Sequence, residues 1–217
     1  MLESYNDCAV VLAEHAEGSV ENFEKRMNQM AENLGTLNTH FVTPNGLDGI
    51  DKKGRHETTA QDLAKIMARC IKNQQFLEIT QKKQYTFTDG SRKRRFICNN
   101  HNALLSSMQG VISGKTGYTS KAGYCYVGAV KQKNMTMTFS VLASGWPPHK
   151  TYKWKDVRKL VQYATDHYER REIIADTSKI KEISIKNGLK EKVLLKTGNL
   201  KAAFLVKKTD KIEIESI

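Results

Sequence analysis

Apolar residues recur at two different spacings along this chain, and the switch between them divides it. From Asp7 to His15, Ala9, Val10, Leu12 and Ala13 make a short helical face, with Asn6 or Asp7 as its cap. Ser19 opens a second helix with the face Phe23, Met27, Met30, Ala31 and Leu34, and Gly35 stops it. A long loop with the turn residues Thr43-Pro44-Asn45-Gly46-Leu47-Asp48 follows. Thr59 then caps a third helix, with Asp62 in the position of a capping box. Leu63, Ile66, Met67, Cys70 and Ile71 form its stripe.

Past this helix the period becomes two. Tyr85–Thr88, the turn Asp89-Gly90 and Arg95–Cys98 predict a hairpin. Gly123–Lys131 and Met135–Ala143 predict long strands joined at Lys133-Asn134. In the second strand Met135, Met137, Phe139 and Val141 alternate with Thr136, Thr138 and Ser140. Helical spacing returns at Val157, Leu160, Val161, Ala164 and Tyr168. Glu169-Arg170-Arg171-Glu172 reads as a charged boundary. Short strands are expected beyond it at Glu182–Ile185, Lys192–Lys196, Ala202–Lys207 and Lys211–Glu215, with Asn187-Gly188 as a hairpin turn. The expectation is a domain over 1–170 and a partial all-β module over 171–217.

Composition adds a charge. The 217 residues carry 35 Lys and Arg against 23 Asp and Glu, a formal +12, which suits a polyanionic neighbour. The densest run is Arg92-Lys93-Arg94-Arg95. No aromatic platform is interleaved with it in the sequence, which argues against single-stranded nucleic acid. Cys8, Cys70, Cys98 and Cys125 show no CxxC spacing and read as small buried residues, so neither a metal nor a cofactor is expected. The start Met1-Leu2-Glu3-Ser4 is no export leader, and no run of about 18 apolar residues predicts a spanning helix. Taken literally, those two features predict a cytosolic protein.

The chemistry concentrates at Val111–Cys125. There an apolar strand ends in Lys115-Thr116-Gly117-Tyr118, turns, and enters a second strand. Such an edge presents a cation, a hydroxyl and open backbone to an extended substrate ending in a carboxylate. Glycine there lets a ligand backbone approach closely. Ser4-Tyr5-Asn6 supplies a hydroxyl and an amide just before the first helix. A second Lys-Thr-Gly at Lys196-Thr197-Gly198 reads as a turn, because no Gly- and aromatic-rich partner strand follows it.

These two elements resemble two of the three signatures of the penicillin-recognising serine enzymes. The longer strings resemble the D-alanyl-D-alanine carboxypeptidase family, serine peptidase family S11, in particular. They are Ser4–His15, Asn38–Asp48, His56–Ala64, Asn100–Leu105 and Gly114–Cys125, in the family's order. The resemblance covers roughly residues 1–168 and implies an α+β penicillin-binding/β-lactamase-like fold. Such a fold has an antiparallel sheet with helices on its faces and a helical lobe, here expected to be incomplete at the N-terminus. It implies Ser4, Asn6 and Lys115 as catalytic residues, with Thr116, Gly117, Tyr118 and Lys153 binding substrate (Lys155 is second choice to Lys153). It implies removal of terminal D-Ala from peptidoglycan stem peptides through an acyl-serine, binding of β-lactam antibiotics, and a place outside the cytoplasm at the cell wall. A membrane surface is implied for the full-length protein, and nucleic acid is not. The family's nucleophile stands in Ser-x-x-Lys well before Ser-x-Asn. The only such string here is Ser178-Lys179-Ile180-Lys181, in the wrong order, so the chain alone is expected to be inactive. The alternatives are a β-lactamase or transpeptidase of the same superfamily, or a non-catalytic cell-wall-binding protein.

Overall fold

The computed structural model describes residues 1–174, 182–189, 191–194 and 201–213. The chain divides into two compact units. One joins Met1–Gln132 to Thr136–Tyr163, and the other joins Lys133–Met135 to the chain from Ala164 onward. The boundary expected after residue 170 falls inside a strand, Tyr168–Ile174.

The first unit opens with α1 (Asn6–Glu17) and α2 (Val20–Asn33). Tyr5 stands at the N-cap of α1 without a side-chain cap, so neither Asn6 nor Asp7 has that role. Ser19 does cap α2, its Oγ accepting from the Asn22 N–H at 3.1 Å. Thr59 likewise caps α3 (Ala60–Cys70), accepting from the Asp62 N–H at 3.1 Å. Asp62 departs from the capping-box expectation. Its buried carboxylate turns to the preceding loop and accepts from the Asn38 N–H and the Thr39 hydroxyl, both at 3.0 Å. Short α4 (Gln74–Thr80), which periodicity did not reveal, leads to the hairpin β1 (Gln84–Thr88) and β2 (Arg95–Asn99).

After α5 (Leu104–Ser107), β3 (Val111–Thr119), β4 (Gly123–Gln132) and β5 (Met135–Val141) form an antiparallel sheet in that order. Lys133 and Asn134 both take positive φ, 46° and 62°, which suits the tight turn between β4 and β5. Helix α6 (Tyr152–His167) presents Val157 and Val161 to a core completed by Leu104, Tyr126, Val130 and Val141. Trp154 meets the Tyr126 ring edge-on at 5.2 Å. All four cysteines are free; Cys8 is exposed and the others are half-buried, so burial is less complete than composition suggested.

In the second unit β6 (Tyr168–Ile174) pairs with β9 (Lys201–Lys207), and β7 (Glu182–Ser184) pairs with β8 (Lys192–Leu194). The charged run read as a boundary is therefore a strand. Glu169 and Arg171 lie two residues apart on one strand face and pair at 2.6 Å, which offsets their charge. Of the strand expected at Lys211–Glu215, residues 211–213 are not strand and the rest lie outside the described residues. The Ser178–Lys181 and Lys196–Gly198 strings also lie outside them.

Candidate active site

Strand β3 is an edge strand, so the side away from β4 has no partner strand among the described residues. Alternation places Lys115 and Gly117 on one face of β3 and Thr116 and Tyr118 on the other. Lys115 Nζ donates to Ser4 Oγ at 2.6 Å and to the Thr116 carbonyl at 2.7 Å. The first contact joins residues 111 positions apart and brings the two sequence signatures together. Among the described residues Lys115 has no ion-pair partner, and burial lowers its pKa. It therefore offers an uncompensated positive charge and, once deprotonated, a proton acceptor for the Ser4 hydroxyl.

Ser4 holds a left-handed backbone, φ 61°, immediately before α1. A non-glycine residue there carries a strain of about 1 kcal/mol. Neighbouring Glu3 anchors the turn: its carboxylate accepts from the Asn99 N–H at the end of β2 and lies 3.4 Å from His101. Asn6 is the first residue of α1 and is exposed, and Lys115 is held by Ser4 and Thr116 rather than by Asn6.

Two clamps that sequence reading missed fix the height of β3. On one face the buried Ser113 hydroxyl meets Thr80 of α4 at 2.9 Å. On the other, Tyr126 donates to buried Asn102 at 3.0 Å, and burial pushes the Tyr126 phenol pKa well up despite that bond. Gly114 lies against this pair, and a Cβ there would sit 2.0 Å from the tyrosine hydroxyl oxygen. Asn102 lies in the string Asn100–Leu105, the one sequence signal that pointed to this region.

Tyr118, 46% exposed, packs on Tyr124 with ring centroids 4.6 Å apart. Lys153 stands 4.6 Å over the Tyr124 ring and donates to the Lys150 carbonyl. The buried Lys153 thus reaches the Lys-Thr-Gly strand through two rings, not through a hydrogen bond to Lys115 or Thr116. Burial, then repulsion from Lys150, lowers its pKa. Lys155 lies 5.6 Å over Tyr152.

The loop between α2 and α3 is tied to the end of β3, Asp48 accepting from the Thr119 hydroxyl at 3.0 Å. Inside the loop, His56 Nδ1 accepts from the N–H groups of Val42 and Thr43 at 2.9 and 3.1 Å. This requires a neutral imidazole, and burial followed by repulsion from His40 lowers the His56 pKa below 6.5. Above that value the ring is neutral whether the loop is folded or not. As pH falls from 6.5 towards the lowered folded value, the unfolded loop binds the proton first and stability drops. Protection factors of the Val42 and Thr43 amides are therefore expected to fall over that interval in hydrogen exchange, and His56→Asn is expected to flatten the dependence. Asp51 acts at lower pH. The hydrogen bond from His40, helped by the Lys53 and Gly54 N–H groups, holds its carboxyl down to about 2.

Comparison with known proteins gives this arrangement a context. A family model for D-alanyl-D-alanine carboxypeptidase matches residues 1–145. The chain is 30% identical to D-alanyl-D-alanine carboxypeptidase DacF of Bacillus subtilis, over 95% of this chain and 51% of that protein. It is 34% identical to DacA of Haemophilus influenzae, over 88% of this chain and 46% of that protein. The solved structure of penicillin binding protein 5 from Haemophilus influenzae matches 95% of this chain and 57% of its own, at TM-score 0.71 and 30% identity. A mutant of the Streptomyces K15 DD-transpeptidase matches 75% of this chain and 63% of its own, at TM-score 0.67 and 33% identity. The chain spans about half the length of the curated relatives it matches.

Proposed function

The chain belongs to the D-alanyl-D-alanine carboxypeptidase family, and from that membership we propose that its cleft recognises the D-Ala-D-Ala end of peptidoglycan stem peptides for serine acyl transfer. The contact between Lys115 and Ser4 carries this reading. The extended peptide lies along the open side of β3, its terminal carboxylate facing the Lys115 charge and the Thr116 hydroxyl. Gly117 keeps the approach open, since even a Cβ there would meet nothing closer than Cys125 at 3.9 Å. Tyr118 borders the groove, and Lys153 adds positive potential from behind the two rings. Asn6, exposed beside Ser4, is placed to bond a ligand amide.

When the peptide bond breaks, the departing D-Ala nitrogen needs a proton. Ser4 O–H gives it, and Lys115 N–H replaces the proton on Ser4. A lowered lysine pKa makes that transfer easier. The acyl-accepting serine is left unassigned, since the one Ser-x-x-Lys string lies outside the described residues. The test is accordingly one of recognition. An N-acylated peptide ending in D-Ala-D-Ala is expected to bind the chain at least about tenfold more tightly than its C-terminal amide, as lost charge-assisted bonds imply. Equal affinities would overturn the proposal. The same site accepts a β-lactam, whose carboxylate meets the same strand, and acts outside the cytoplasm on the cell wall. Among the described residues no helix is long and apolar enough to cross a membrane.

A second reading is favoured by the 33% identity to a DD-transpeptidase. There an amine rather than water takes the acyl group. Product analysis of the acyl-transfer reaction with and without an added amine acceptor separates the two.

A further inference from the structure

The hairpin β1–β2 stands out once the cleft is assigned. Phe87 and Phe96 pair across it with centroids 5.0 Å apart, and Tyr85 continues the row at 6.4 Å from Phe87. All three rings are more than 40% exposed, so they form an apolar ridge open to solvent. Past the end of the ridge come Arg92, Lys93, Arg94 and Arg95, all exposed. Among the described residues none of the four has an ion-pair partner. The carboxylate of Asp89, at the start of the turn, is occupied in holding it, accepting from the Ser91 hydroxyl and the Lys93 N–H. Four uncompensated cations beside an apolar ridge call for a ligand with repeated anionic groups and apolar faces between them. The hairpin is also tied to the cleft. Asn99 closes β2 against Glu3, the residue before Ser4. A five-residue strand spans about 17 Å, so a ligand leaving the cleft along the hairpin reaches the cations within one strand length.

We propose that this hairpin is a docking surface for the polysaccharide strand that carries the stem peptide. The pyranose rings of neighbouring units rest on the Tyr85–Phe87–Phe96 ridge, and carboxylates of adjacent stem peptides meet Arg92–Arg95. Polymer-bound peptide is thereby held at the cleft while a free peptide of the same sequence gains nothing. The inference rests on the peptidoglycan reading above.

Co-sedimentation of the chain with purified insoluble peptidoglycan tests it, at about 50 and about 300 mM salt, on either side of strong screening. Arg94→Glu/Arg95→Glu is expected to lower the bound fraction at low salt at least about fivefold, because like charges now face the polymer. Its affinity for the soluble D-Ala-D-Ala peptide is expected to stay unchanged. Amidating the polymer's carboxylates is expected to give the same loss in Lys115→Met, whose cleft no longer reads the carboxylate, which keeps the test valid if the tip variant folds poorly. Undiminished sedimentation of the tip variant, or of Lys115→Met with amidated polymer, would overturn the proposal. So would tighter tip-dependent binding to duplex DNA or to anionic phospholipid vesicles. If the soluble peptide itself fails to bind, the functional reading is what fails. If that peptide binds while polymer retention ignores the tip, only this inference fails.

Discussion

Lys115→Met is expected to weaken binding of the D-Ala-D-Ala peptide by about ten- to a hundredfold, the range for loss of a charge-assisted bond to a desolvated partner. The methionine keeps the length and apolar body of the side chain. What it removes is the cation and the donor to Ser4 and to the Thr116 carbonyl. Stability should change little, because Lys115 is half-buried without an ion pair among the described residues and burial disfavours its charge. The amidated peptide should bind wild type and variant equally, since neither complex then holds a carboxylate to lose. Isothermal titration of both peptides against both proteins measures all four affinities. A Met variant that kept its affinity for the carboxylate form would contradict the role given to Lys115.

The second large effect falls on stability. Gly114→Ala places a Cβ 2.0 Å from Tyr126 Oη, 2.5 Å from its ring and 2.8 Å from Asn102 Nδ2. None of these atoms can retreat easily, because Tyr126 is fully buried against Trp154 and bonded to Asn102. Overpacking of this severity costs about 3 kcal/mol or more. In a chain of this size that lowers the melting temperature by roughly 6–12 °C. Gly117→Ala, three residues along the same strand, is the control. Its Cβ would meet only Cys125 at an ordinary 3.9 Å. It should leave the melting temperature nearly unchanged while narrowing the groove to the peptide. Similar thermal losses for both variants would show that β3 is not clamped from the Tyr126 side.

Ser4-Tyr5-Asn6 and Lys115-Thr116-Gly117 are short strings that say little alone, and Lys196-Thr197-Gly198 repeats the second. Their meeting through Lys115 and Ser4 was legible from the longer strings around them, which resemble one family in its order. Ser19 and Thr59 were legible as caps because capping is local, settled within three residues. The clamps were not legible. Thr80 and Ser113 lie 33 residues apart and Asn102 and Tyr126 lie 24 apart, and nothing in either neighbourhood announces the partner. Asp62 misled for the same reason: a loop 24 residues earlier outcompeted the local capping bond. The aromatic ridge escaped because its rings meet across two strands, whereas the basic run was scanned for aromatics along the chain. Strand β6 escaped because its charged run read as a linker, although Glu169 and Arg171 pair with each other on the strand.

Lys115 meets Ser4 and is the group assigned to the ligand carboxylate, and the titration of that one amine reports on both. Heteronuclear NMR can follow the Lys115 Nζ resonance against pH in the free chain and with saturating D-Ala-D-Ala peptide. A bound carboxylate favours the ammonium form, so the pKa that burial has lowered should rise on binding. The amidated peptide should leave it where it was. A Lys115 titration that ignores the carboxylate peptide, or that moves equally with the amide, would contradict the account.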